Sequence, residues 1–151
     1  MDPTWVVLAD EGRARILAMR QPGTDLAEVE ELTDPAAHAH NADFRHDAYG
    51  RRGGGGDLRM GSDAVSSAGE EKLDHEAEAF ARRVAERLAQ AHSQGRFERL
   101  RIAAAPRFLG RLRKLLDPQV AKTVVDELDK DLLQLNRREL TQKLYPPEPN
   151  A

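Results

Sequence analysis

The run Trp5-Val6-Val7-Leu8-Ala9 constrains the fold of this chain more than any other feature. Consecutive apolar residues leave no polar face, so a strand built from them must be covered on both sides, as the central strands of α/β sheets are. Asp10-Glu11-Gly12 then breaks the run, and Arg13 to Met19 alternates basic or small residues with Ala14, Ile16 and their neighbours. That pattern predicts a hairpin turning at Gly12, with Gly12 supplying a positive φ. After the breaker Pro22-Gly23, Leu26 to Leu32 reads as an edge strand, with Leu26, Glu28, Glu30 and Leu32 on one side.

Residues 34–69 follow neither period and hold seven of the eleven glycines, including Gly53-Gly54-Gly55-Gly56, so a long mobile loop is expected. From Glu70 onward Leu73, Ala77, Phe80, Ala81, Val84, Leu88 and Ala91 share one helical stripe. Ser67 and Glu70 are spaced as a capping box and Gly95 is the stop. Leu100 to Ala105 predicts a short strand, and Pro106 the first turn of a helix carrying Phe108, Leu109, Leu112, Leu115 and Leu116. Val120 to Leu132 forks: Val120, Val124, Leu128 and Leu132 are helically spaced, whereas Thr123-Val124-Val125 favours a strand, and periodicity alone leans to helix. Asn136 and Glu139, with Leu135 and Leu140 in the staple positions, open a last helix to about Leu144, before the Pro-rich tail 146–151.

The chain's 151 residues suit one α/β domain over 1–145, large enough to bury about 70% of its unfolded surface. A formal net charge of −3 offers no global attraction to nucleic acid or to an anionic membrane, so any such binding must come from a local basic patch. With no cysteine, a disulfide framework and thiolate metal sites are excluded, and a reducing compartment fits. The apolar stretch near the N-terminus is too short for a secretory core or a membrane span, so the expectation is a cytoplasmic protein without membrane contact.

Three ordered stretches resemble the host attachment protein family: Trp5 to Asp10 with Gly12-Arg13-Ala14-Arg15-Ile16; Ala105-Pro106-Arg107-Phe108-Leu109-Gly110 with Leu112-Arg113; and Glu127 to Leu132. Phe80-Ala81 and Gly95-Arg96-Phe97 fit as well. The resemblance implies kinship with the middle domain of archaeal and eukaryotic peptide-release factors and a ribonuclease-H-like layout. That means a mixed five-stranded sheet in the order 3-2-1-4-5 with three main helices, and a strand at Thr123 to Asp129. Strand order 3-2-1-4-5 is also the simplest right-handed solution for a meander followed by a βαβ crossover. Release factors act through a Gly-Gly-Gln tip; here Gly55-Gly56 is followed by Asp57, so hydrolysis of peptidyl-transfer RNA is not carried over.

Between Arg99 and Leu116 stand Arg99, Arg101, Arg107, Arg111, Arg113 and Lys114 with no acidic residue among them. They read as a phosphate or RNA-backbone footprint at the carboxyl end of a central strand, where the Pro106 helix also presents free N–H groups. The plainer reading, a solvated helix face paired with the acids of residues 70–78, is the commoner fate of basic stripes. Arg51, Arg52 and Arg59 flank the glycine run as loop contacts, although composition favours a disordered surface loop. His38, His40 and His46 with Asp43 and Asp47 lack the rigid spacing of a metal site, and neither a metal nor another cofactor is expected. Asp10 could serve a two-metal nuclease or simply the turn, and Ala103-Ala104-Ala105 offers it no partner carboxylate. The leading expectation is a non-enzymatic module engaging RNA or the ribosome through the basic helix and the Gly-rich loop. The alternatives are an enzyme acting on a small phosphorylated or nucleotide ligand, and an adhesion-regulating protein acting through a protein partner. Oligomeric state is not legible.

Overall fold

A computed structural model describes residues 2–34 and 58–147. Strands β1 (Thr4–Ala9), β2 (Arg13–Met19) and β3 (Ala27–Thr33) form an antiparallel meander. A long helix α1 (Leu58–Ser93) leads to β4 (Arg99–Ala104), which pairs parallel with β1. Helix α2 (Pro106–Leu115), the single turn α3 (Pro118–Ala121), β5 (Val124–Leu128) and helix α4 (Arg137–Leu144) complete the fold. The five strands stand in the order β3-β2-β1-β4-β5, as the pattern and the resemblance implied.

All six residues of β1 are buried, because each of its faces meets a core. On one face Trp5, Val7, Ile16 and Ile102 pack against Phe80, Val84 and Leu88 of α1 and Phe108 and Leu112 of α2. Ring contacts Trp5–Phe97 at 5.0 Å and Phe80–Phe108 at 5.9 Å tie the helices to the sheet. On the other face Val6, Leu8 and Leu17 meet Leu132, Leu133, Leu140 and Leu144. Each such side chain stabilises the fold by about 1.5–3 kcal/mol relative to leaving it exposed, which is why neither face of the central strand tolerates a polar residue without a partner.

Arg15 is the exception on that second face. It stands opposite Leu8, is only 6% exposed, and donates from Nη1 to the carbonyls of Leu133 (2.9 Å) and Leu135 (2.7 Å) while pairing with Glu28. A buried guanidinium is tolerated when its donors are matched in this way. Here it anchors the segment that leads into α4.

Two local expectations are revised, and the fork resolves to the strand that the resemblance implied. Positive φ occurs at Gly23 and Gly95 but not at Gly12; the side chain of Asp10 makes the hairpin turn instead, its Oδ1 accepting from the N–H groups of Gly12 (2.9 Å) and Arg13 (2.8 Å). Helix α1 begins at Leu58 rather than at the box of Ser67 and Glu70, which lie inside it. No proline stands between Gly56 and Ser93 to stop the helix earlier. The forked segment divides: Asp117 caps a single helical turn that buries Val120, and β-branched Thr123-Val124-Val125 then enters β5 beside β4. Asn136 and Glu139 make the expected capping box, each side chain bonding the other's backbone N–H.

Candidate functional site

The carboxyl ends of the parallel strands β1 and β4 lie side by side, Ala9 opposite Ala104. From there the chain leaves β1 toward β2 and leaves β4, through α2, toward β5, so a crevice opens where the two paths diverge. Its walls are the hairpin tip at Glu11, α1 at Leu73 and Asp74, and α2 at Pro106, Arg107, Arg111 and Lys114. The open cleft has a volume of about 680 Å³.

Helix α2 builds most of this wall. Phe108, Leu109 and Leu112 turn inward and are buried, which leaves Arg107, Gly110, Arg111 and Lys114 on the cleft side. Ala105 at the N-cap position has no side-chain oxygen to offer, so the N–H groups of the first turn receive no side-chain cap. Gly110 sits mid-helix, where glycine costs about 1 kcal/mol relative to alanine. A Cβ there would meet nothing within 4 Å, so internal packing does not require the glycine; its bare backbone widens the cleft.

Among the charged groups, Arg111 is held by Asp74, with Nη2 donating to Oδ1 at 2.8 Å and Nη1 to the main-chain oxygen at 3.3 Å. Arg107 and Lys114 are exposed and make no hydrogen bond or ion pair with any described residue. The carboxylate of Glu11 is likewise unpaired among the described residues. Asp10 beside it is occupied by the turn.

The six cations expected as one unanswered footprint do not share a surface, and four of them are answered. Arg99 stands at the opposite end of β4, about 17 Å from Ala104 at the usual rise of a strand, and pairs with Asp2 at 3.2 Å. Arg101 lies on the other face of the sheet, donating to Asp126 at 2.9 Å and to the carbonyl of Leu144, with its guanidinium 4.7 Å from the centre of the Tyr145 ring. Burial opposes its charge, but the hydrogen bond to Asp126, with the neighbouring Tyr145, outweighs burial and raises its pKa. Arg113 turns outward and donates to Glu127 at 3.0 Å, which raises its pKa. Only Arg107, Arg111 and Lys114 converge. Arg59 falls in the first turn of α1 with its side chain outside the described set, and Arg51, Arg52 and the cluster of His38, His40, His46, Asp43 and Asp47 lie outside the described residues. Among the described residues no group of three His, Asp or Glu is arranged to hold a metal ion, and no helix is long and apolar enough to cross a membrane.

Sequence reasoning missed Glu11 as part of the cleft, whereas Asp74 is one of the acids of residues 70–78 that the plainer reading paired with the basic helix. The signal for Asp74 was present: it precedes the buried Ala77 and Ala81 by three and seven residues, so it edges the stripe that faces α2.

A family model described as "Protein required for attachment to host cells" matches residues 5–144. No curated protein matches the chain. Among solved structures, the crystal structure of the archaeal translation termination factor aRF1 is similar at a TM-score of 0.52 and 12% identity, over 95% of this chain. The chain spans about a third of that factor's length, 34%, and at this identity the likeness is one of fold.

Proposed function

The chain belongs to the family of proteins required for attachment to host cells, and on that premise we propose that it is a non-enzymatic binding module of the cytoplasm that engages the phosphate backbone of RNA, free or in the ribosome, through the cleft of α2. The observation that supports this reading is the pair of exposed cations Arg107 and Lys114, unpartnered among the described residues, beside a helix start without a side-chain cap, at the point where the strand paths diverge. Free N–H groups at a helix start and the positive end of its dipole favour a phosphate oxygen, and two unpaired cations supply the charge. Arg51, Arg52 and Arg59 would add contacts from the Gly-rich segment. The fold likeness to a termination factor accords with a partner in translation but rests on fold alone.

The test is titration of a fluorescent single-stranded RNA against the wild type and the double reversal Arg107→Glu, Lys114→Glu, between about 50 and 200 mM salt. Loss of two phosphate contacts should flatten the dependence of log affinity on log salt by about 1.4, at about 0.7 per contact on a single strand. Equal affinities and equal salt slopes for the two proteins would refute it. A second reading, a small phosphorylated ligand, is favoured by the cleft's size, which falls in the range usual for small-molecule sites. Competition of the bound RNA by a nucleoside monophosphate at millimolar concentration separates the two.

A further inference from the structure

Arg111 is the one cation of the cleft already engaged, and the group engaging it stands on the opposite wall. Building on the reading of the cleft as a phosphate site, we propose that Asp74 is an internal competitor for the incoming anion: a phosphate entering the cleft takes Arg111 from Asp74, so binding exchanges one ion pair for another and releases α1 from α2 at that point.

Three observations support an exchange rather than a permanent strut. Asp74 is 58% exposed and Arg111 21% exposed at the side chain, so the pair sits at the mouth of the cleft with water at hand. An exposed pair of this kind shifts an equilibrium by no more than about fivefold, little enough for a ligand to displace. The guanidinium is also loosely held: Asp74 takes Nη2 at 2.8 Å but Nη1 only at 3.3 Å through its main-chain oxygen, and the buried Nε has no hydrogen-bond partner among the described residues. A backbone phosphodiester can take both Nη1 and Nη2 on its two non-bridging oxygens, a closer match to the fork than one carboxylate oxygen and one main-chain carbonyl. Arg107 and Lys114, one turn to either side on the same helix face, hold the rest of its charge.

Release has a defined extent. The inward side chains of α1 nearest to Asp74 are Leu73, half-buried at the cleft, and Ala77, with Phe80 on Phe108 as the first aromatic anchor. Freeing Asp74 therefore loosens α1 around Leu73 and Asp74 and leaves the core contact of Phe80 in place.

The experiment is a double-mutant cycle of Asp74→Asn and Arg111→Ala, read as affinity for a short single-stranded RNA at fixed salt, with urea midpoints to verify that each variant is folded. The exchange predicts that Asp74→Asn tightens binding by about threefold to fivefold, and that this gain disappears in the Arg111→Ala background. An equal gain in both backgrounds means that Asp74 acts only through its general charge, and overturns the exchange. So does a folded Asp74→Asn protein that binds no tighter than the wild type. If binding depends on Arg107 and Lys114 yet the cycle is additive, the exchange alone fails. If the wild type binds no RNA, the reading of the cleft fails and the exchange fails with it.

Discussion

Replacing Arg15 by alanine should cost about 3–5 kcal/mol of stability, the range seen when one partner of a buried ion pair is removed. The structure indicates where that energy lies. The side chain is 8% exposed, and it supplies the donors for two main-chain oxygens, those of Leu133 at 2.9 Å and Leu135 at 2.7 Å. A hydrogen bond from a charged donor is worth about 1.5–3 kcal/mol, and neither carbonyl has an obvious substitute once the donor is gone. The salt bridge itself adds little, because Glu28 is 43% exposed and can be hydrated. Urea unfolding of the wild type, Arg15→Ala, Arg15→Lys and Glu28→Gln checks this, with stability differences taken from the midpoints at constant slope. Glu28→Gln should fall within about 1 kcal/mol of the wild type. Arg15→Lys should lie between, since a lysine keeps the charge but not the planar fork that reaches two carbonyls at once. In heat, Arg15→Ala should melt roughly 10 °C lower, at about 2–4 °C per kcal/mol for a domain of this size. An Arg15→Ala protein no less stable than Glu28→Gln would refute the view that these carbonyl bonds hold the 132–135 segment to the sheet.

Asp10→Ala removes both side-chain bonds of the first hairpin turn and should cost about 1–2 kcal/mol by the same urea assay. The two glycines should respond in opposite directions: Gly110→Ala, in a helix with open space around the Cβ, stabilises by about 0.5–1 kcal/mol, and Gly95→Ala, at φ +72°, destabilises by about 1 kcal/mol. Arg113→Glu opposes Glu127 yet lies off the cleft, so RNA affinity should stay near the wild-type value while stability falls by less than about 1 kcal/mol.

The features legible in the sequence were those set by neighbours along the chain. Trp5 to Ala9 announced a strand covered on both sides, and the capping box at Asn136 announced α4. The first hairpin was foreseen with two candidate turn residues: the positive φ expected of Gly12 is absent, whereas the turn role offered for Asp10 is the one its carboxylate fills. The fork at Val120 to Leu132 was undecidable by period, because the segment holds a helical turn and a strand in succession, and only contact with β4 selects the strand. The cation footprint was hardest. Counting charges from Arg99 to Leu116 found no acid, yet Asp2, Asp74, Asp126 and Glu127 come from distant positions to answer four of the six. Alternation along β4 also sends Arg101 to the face opposite α2, so closeness in sequence became separation in space.

The most direct test of the cleft is an NMR titration of isotopically labelled protein with single-stranded RNA, following every backbone amide. The account predicts shifts at Glu11, in α1 around Asp74 and from Arg107 through Lys114, with further shifts at Arg51, Arg52 and Arg59. The amides around Arg99, Arg101 and Tyr145 at the other end of the sheet should stay unmoved. Shifts centred on that other end, or none at RNA concentrations that saturate ordinary RNA-binding domains, would contradict it.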